Sequence, residues 1–283
     1  VKFLAITLIV HAPDPVTGVQ KSTQDRFREV TDNALLAEEL GFDGFGVGER
    51  HERPFISSSP TVVLSHLAAL TQRIRLFTAV TTLSLLDPVR AYEEYATLDH
   101  LSQVRLELII GKGNGAAQRE LFHVTPEDQW DRNAESYELF RRIWRQDKVT
   151  YASRFRPELN EAEVWPRPLQ QPIRIWHGSA TSRESVDLAA RYGDPLFSAN
   201  GTNPIEPYAE LIRYYRERWE HYATTRPWPP SARARPATTR PAHRRRLWRP
   251  TDRSSRAAWL TRSSAVWNRS SPPWTTSSSA APP

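Results

Sequence analysis

The sequence contains no cysteine, which excludes disulfides, thiolate nucleophiles and cysteine metal sites. No hydrophobic run approaches the roughly 18 residues of a membrane helix, and the first residues lack a signal peptide's charged, apolar and small-residue regions. The expectation is a soluble, cytoplasmic protein. Glycine is absent after Gly201, and acidic residues almost vanish after Tyr222. Positions 1–222 carry 26 Lys and Arg against 31 Asp and Glu, whereas 223–283 carry 12 Arg against Asp252 alone. The formal net charge of +6 therefore belongs to the tail.

What is present in the body alternates between strand and helix. Phe3 to Val10 is a near-continuous apolar run, and Ser22 or Thr23 can cap a helix in which Phe27, Val30, Ala34, Ala37 and Leu40 recur at helical spacing before Gly41. Phe42 to Val47 reads as a second strand, and Ser59-Pro60 opens a helix ending near Leu70. Ile74 to Leu83 is a third strand, and Asp87-Pro88 caps a helix reaching Leu101. Arg105 to Ile110 is the fourth strand. A helix from about Asp131 to Arg145 follows, then a proline-rich connector over 146–172. Ile173 to Trp176, a helix over 181–192, a short strand at Leu196 to Ser198 and a helix from Ile205 to about His221 complete six βα units.

Successive βα units imply parallel pairing, because each helix supplies a crossover. Such a chain forms either a doubly wound sheet or a (β/α)8 barrel, and in both the chemistry lies at the C-terminal strand ends. Four of those ends carry chemistry-bearing residues: Glu49 to His51, Thr78 to Thr82, Gly111 to Asn114, and Gly178 to Ser182. In the loop Gly111-Lys112-Gly113-Asn114-Gly115, backbone N–H groups can crowd an anion while Lys112 supplies the opposite charge. The pattern also suits a plain tight turn, and it matches neither the Walker nor the dinucleotide motif. Thr181 to Glu184 begin a helix, whose free N–H groups also favour an anion. No histidine pair has supported metal-ligand spacing, so no metal is expected.

The stretches GFDGFGVGERH (41–51), SSSPTVVLSHLAALTQRIRLFTAVTTLSLLDPVRAYEEYATLDHLS (57–102), RLELIIGKGNG (105–115) and IWHGSATSRESVDLAARYGD (175–194) resemble the bacterial luciferase-like flavin-dependent monooxygenases. The resemblance covers roughly residues 1–222. It implies a (β/α)8 TIM barrel, here with six recognisable units, binding reduced FMN or, in some branches, a deazaflavin at its C-terminal mouth. It further implies a monooxygenase acting with dioxygen on a small organic substrate, reduced flavin from a separate reductase, and a possible homodimer. Carried over by residue, Lys112 pairs with the flavin phosphate, and Gly178, Ser179 and Ser182 complete that site. Ala79-Val80 falls at a non-prolyl cis peptide supporting the ring, and Asn114 meets the ribityl chain or ring edge.

One departure concerns the second strand's end. Many members carry two histidines after its glutamate, and here the first is replaced by Arg50, which stays charged and cannot act as a base. Glu49, Arg50 and His51 are thus the catalytic candidates, with His51 the proton-transfer group. Arg50 could bind an anionic substrate or pair with Glu49 or Glu52. Either a deazaflavin-dependent oxidoreductase or an inactive flavin-binding product is the alternative. His177 could touch the cofactor, and Tyr92, Tyr95, Trp144 and Trp165 read as core aromatics.

From about Ala223 the pattern collapses into Pro, Arg, Ser and Thr with five of the ten tryptophans. Nucleic-acid binding by this basic segment is weighed and set second to a shifted reading frame. The expected organisation is a barrel domain over 1–222 and an out-of-frame or disordered tail over 223–283.

Overall fold

A computed structural model of the chain describes residues 2–179, 181–198 and 205–227. These belong to the unit Val1–Arg233, and a second unit, Ala234–Pro283, lies outside them, as does nearly all of the expected tail.

The six expected units are present. The first four run β1 (Leu4–Thr7), α1 (Thr23–Glu39), β2 (Gly44–Val47), α2 (Pro60–Leu70), β3 (Arg75–Thr78), β4 (Thr81–Thr82), α3 (Pro88–Leu101) and β5 (Leu106–Gly111). They continue through α4 (Ala116–Leu121), α5 (Gln129–Arg145), β6 (Val149–Ser153), β7 (Arg156–Ala162), β8 (Ile175–Ser179), α6 (Arg183–Tyr192), β9 (Leu196–Ser198) and α7 (Ile205–His221). The helix starts follow their capping residues. Ser22 accepts from the Asp25 N–H, and Asp87 from those of Val89 and Arg90, with Pro88 in the first turn.

All strands of the main sheet pair in parallel, in the order β1-β2-β3-β5-β8-β9 with β4 beside β5, and the sheet curls into a half-barrel. Because side chains alternate along a strand, each strand serves two environments. Phe45, Val47, Leu76, Leu106, Leu108, Ile110 and Ile175 share one core with Val30, Leu64, Leu67, Tyr92, Tyr95, Phe140 and Trp144 of the helices. The alternate positions, among them Gly46, Phe77, Glu107, Gly111, Trp176 and Gly178, point to the concave side.

Four expectations need correction. The third strand is interrupted after Thr78, where the Ala79–Val80 peptide is cis. Between the glycine loop and α5 lies an additional helix, α4, made of Ala116 to Leu121. The connector over 146–172 is not featureless, since β6 and β7 form an antiparallel hairpin. Val149 and Tyr151 turn into the core while Thr150 and Ala152 stay exposed, and the Tyr151 hydroxyl donates to the Glu135 carbonyl at 3.1 Å. Trp165 is no core aromatic: 64% of it is exposed.

Candidate active site

The ends of β2, β4, β5 and β8 converge, and a buried carboxylate joins the first two. Glu49 follows β2; its Oε2 accepts the Thr82 N–H at 3.1 Å, and its Oε1 lies 3.1 Å from His51 Nε2. A carboxylate only accepts, so the shared hydrogen belongs to Nε2. The ring edge is held against Phe122, with centroids 4.7 Å apart. The Glu49 bond and the Phe122 contact together fix the orientation of the His51 ring.

Thr82 belongs to the turn that carries Ala79 and Val80. Its neighbour Thr81 bonds through Oγ1 to Thr78 Oγ1 at 2.9 Å and to the Tyr95 hydroxyl at 2.7 Å. Burial, with the Glu49 charge next, pushes the Tyr95 hydroxyl far up, which keeps it protonated as a donor. Val80 is seated between two strands: a Cβ on Gly111 would stand 2.6 Å from Val80 Cγ2, and one on Gly178 would stand 2.9 Å from Cγ1. Only glycine lets Val80 approach β5 and β8 this closely. The result is an apolar ledge at the barrel mouth, a shape suited to a flat ring.

The glycine loop after β5 turns at Gly113, whose φ of 74° is in the left-handed region. Ser84 Oγ and Gln129 Nε2 both donate to the Lys112 carbonyl at 2.7 Å and brace the loop from outside. Lys112 Nζ donates to the Gly113 carbonyl at 3.1 Å and lies 5.2 Å from the centroid of the Trp130 ring. Burial and then the Arg119 charge lower the Lys112 pKa, while Glu184 opposes them. The influence of Glu184, in the first turn of α6, relates Lys112 to the helix start beside Ser182.

Arg50 spans the gap between the β2 and β5 ends. Its Nη1 donates to Asn114 Oδ1 at 3.0 Å, it is ion-paired with Glu52, and its guanidinium stacks on Phe55 at 4.5 Å. Ser179 Oγ donates to the Ser182 carbonyl at 3.0 Å, and Ser182 Oγ caps α6 by accepting from Ser185 N–H at 3.2 Å. Both hydroxyls are thus used within the turn.

His177 belongs elsewhere. It sits on the helix-facing side of β8, where Nε2 is 3.3 Å from Asp194 Oδ2 and the ring meets Tyr137 edge-on. Asp194 also bonds Tyr137 and pairs with Arg141 at 2.8 Å, in a cluster buried throughout. Burial disfavours the charge on Asp194, but Arg141, His177 and Tyr137 outweigh it and hold its pKa below the ordinary value. Sequence reasoning also missed Arg119, because α4 was missed; the run Ala-Ala-Gln-Arg-Glu-Leu, all good helix formers, was the available signal.

Among the described residues, no helix is long and apolar enough to cross a membrane. The monooxygenase RslO1 from Streptomyces bottropensis superposes with a TM-score of 0.70 at 27% identity, over 78% of this chain and 67% of that one. The FMN-bound oxygenating constituent of 3,6-diketocamphane monooxygenase from Pseudomonas putida has a TM-score of 0.67 at 16% identity, over 78% and 62% of the chains, a likeness of fold. An F420-dependent glucose-6-phosphate dehydrogenase of Microbacterium testaceum is 27% identical over 208 residues, which is 70% of this chain and 60% of that protein. The chain spans about half the length of the first curated relatives it matches. The family model for luciferase-like monooxygenase matches residues 1–267, and on that match and the shared half-barrel the chain belongs to the luciferase-like monooxygenase family.

Proposed function

We propose that the protein is a flavin-dependent monooxygenase that uses reduced FMN and dioxygen on a small organic substrate. The observation that carries this reading is the joint held by Glu49, which fixes His51 and, through Thr82 N–H, the turn bearing Val80. One buried group thereby sets a proton acceptor at a constant position relative to the ledge on which a flavin ring would rest. The residues suit that cofactor. Val80 over Gly111 and Gly178 offers the ring an apolar face, and Lys112 with the start of α6 offers the phosphate a cation and free N–H groups. Bound reduced flavin supplies the electrons that activate dioxygen.

The chain's own residues divide the remaining work. His51 Nδ1 takes up or returns a proton near the reacting atoms, and Glu49 stabilises the ring when it is charged. Arg50, tied to Glu52 and Asn114, holds the glycine loop against the β2 end and so acts as a positioning residue. Its own proton takes no part, since the guanidinium stays charged.

Anaerobic titration with reduced FMN tests the reading. Wild-type binding that weakens about 10- to 100-fold in Lys112→Ala is expected, the loss of a charge-assisted contact. Binding of a deazaflavin with no affinity for reduced FMN would instead favour a deazaflavin-dependent oxidoreductase on the same barrel, as the Microbacterium relative is named. The composition break after Tyr222 is read as a shifted frame; an uninterrupted frame on resequencing would end that reading.

A further inference from the structure

The glycine loop carries a second cation. Lys112 Nζ donates to the Gly113 carbonyl at 3.1 Å, and Arg119 Nη1, reaching back from α4, meets the Gly115 carbonyl at 3.5 Å. Both side chains are half-buried, and among the described residues neither makes an ion pair within 4.0 Å. The nearby carboxylate of Glu184 accepts instead from the Ser182 hydroxyl at 3.0 Å. Two like charges drawn onto one five-residue loop repel each other in a setting that screens them poorly. An anion between them removes that cost, and the N–H groups at the start of α6 add to its binding. Glu184 works in the opposite direction and weakens the loop's hold on any anion, so both cations are needed to hold a doubly charged one.

On the flavin reading above, we propose that Lys112 and Arg119 together grip a dianionic phosphomonoester, so that this loop selects FMN over cofactors whose phosphate is a diester. A phosphomonoester carries about −1.5 to −2 charge near pH 7 because its second ionisation falls near pH 6, whereas a diester keeps a single charge. The second cation matches the second charge.

Four probes test this on the full chain by equilibrium titration: inorganic phosphate, reduced FMN, reduced riboflavin, and reduced FMN whose phosphate is methylated to a diester. Wild type is expected to bind FMN at least about tenfold more tightly than the methyl diester. Arg119→Gln is expected to weaken FMN and inorganic phosphate by about tenfold or more, to leave riboflavin unchanged, and to erase the preference over the diester; Arg119→Lys restores part of it. Equal wild-type affinity for FMN and its diester overturns the proposal, as does an Arg119→Gln chain of unchanged melting temperature that binds FMN normally. Should no flavin bind at all, the flavin reading fails by itself. Inorganic phosphate then decides the site: wild-type binding lost in Arg119→Gln upholds the dianion grip, and its absence in wild type overturns it.

Discussion

Replacing Gly111 with alanine places a methyl group where the ledge is tightest. The new Cβ would stand 2.6 Å from Val80 Cγ2 and 3.2 Å from Val80 Cβ, so Val80 has to move. Toward β8 the fit is already close, since Val80 Cγ1 occupies space that a Cβ on Gly178 would need, 2.9 Å from where it would stand. Overpacking of this kind costs about 1–3 kcal/mol. If the displaced Val80 leaves the position on which the flavin ring rests, the same energy appears as a loss of about 5- to 150-fold in affinity for reduced FMN. The assay is anaerobic titration of Gly111→Ala beside Val80→Ala and the double variant, with melting temperature followed for each. Removing both Cγ atoms makes room for the new methyl but also takes away the ledge, so the double variant should recover melting temperature relative to Gly111→Ala, a coupling between the sites, while flavin affinity stays low. Wild-type affinity in both Gly111→Ala and Val80→Ala would refute the ledge as the ring's support.

Asp194→Asn removes the carboxylate that pairs with Arg141 inside the buried cluster, and a loss of about 3–5 kcal/mol is expected in denaturant unfolding. The folded pKa of Asp194 lies below its unfolded value, so its contribution is fully present above about pH 4 and fades as pH falls toward the folded value. Wild type should therefore lose its advantage over Asp194→Asn in that acid range, and a constant difference down to pH 2 would count against the assignment. Glu49→Gln should lower single-turnover product formation about 10- to 100-fold and shift its pH profile, with flavin affinity changed only a few-fold. A proportionate loss of flavin binding would instead make Glu49 a scaffold for the turn alone. Asp87→Ala removes the cap of α3 and the partner of Arg156, and about 1–2 kcal/mol of stability should go with it by thermal unfolding.

The strands and helices of the sheet were legible because each unit is written locally. Caps such as Ser22 and Asp87, prolines at 60 and 88, and apolar strands buried on the helix side all point the same way. The hairpin of β6 and β7 was hidden by four prolines around it, although the alternation at Val149 to Ala152 was there to be read. Glu49, His51, Lys112 and the serines could be nominated from their strand ends, but not their pairings. That Glu49 reaches Thr82, or that Arg50 reaches Asn114, depends on loops meeting across the mouth. His177 lies away from the mouth for a simpler reason: one step along a strand changes the face, and it turns toward α5.

Glu107, on the concave side of β5, has a consequence for how the barrel chooses its register. One carboxylate oxygen is paired with Arg75 of β3 and stands 3.6 Å from Arg174 just before β8, while the other accepts from Trp176 Nε1 of β8 at 2.9 Å. A slip of β5 by a single residue would drive this charge into the apolar layer beside Leu106 and Leu108, away from all three donors. The partly buried group is thus better understood as a locking pin than as a source of stability. By fixing β3, β5 and β8 at one level near their starts, it also sets Gly111 and Gly178 side by side at their ends, and the gap that admits Val80 is cut from the opposite end of the strands.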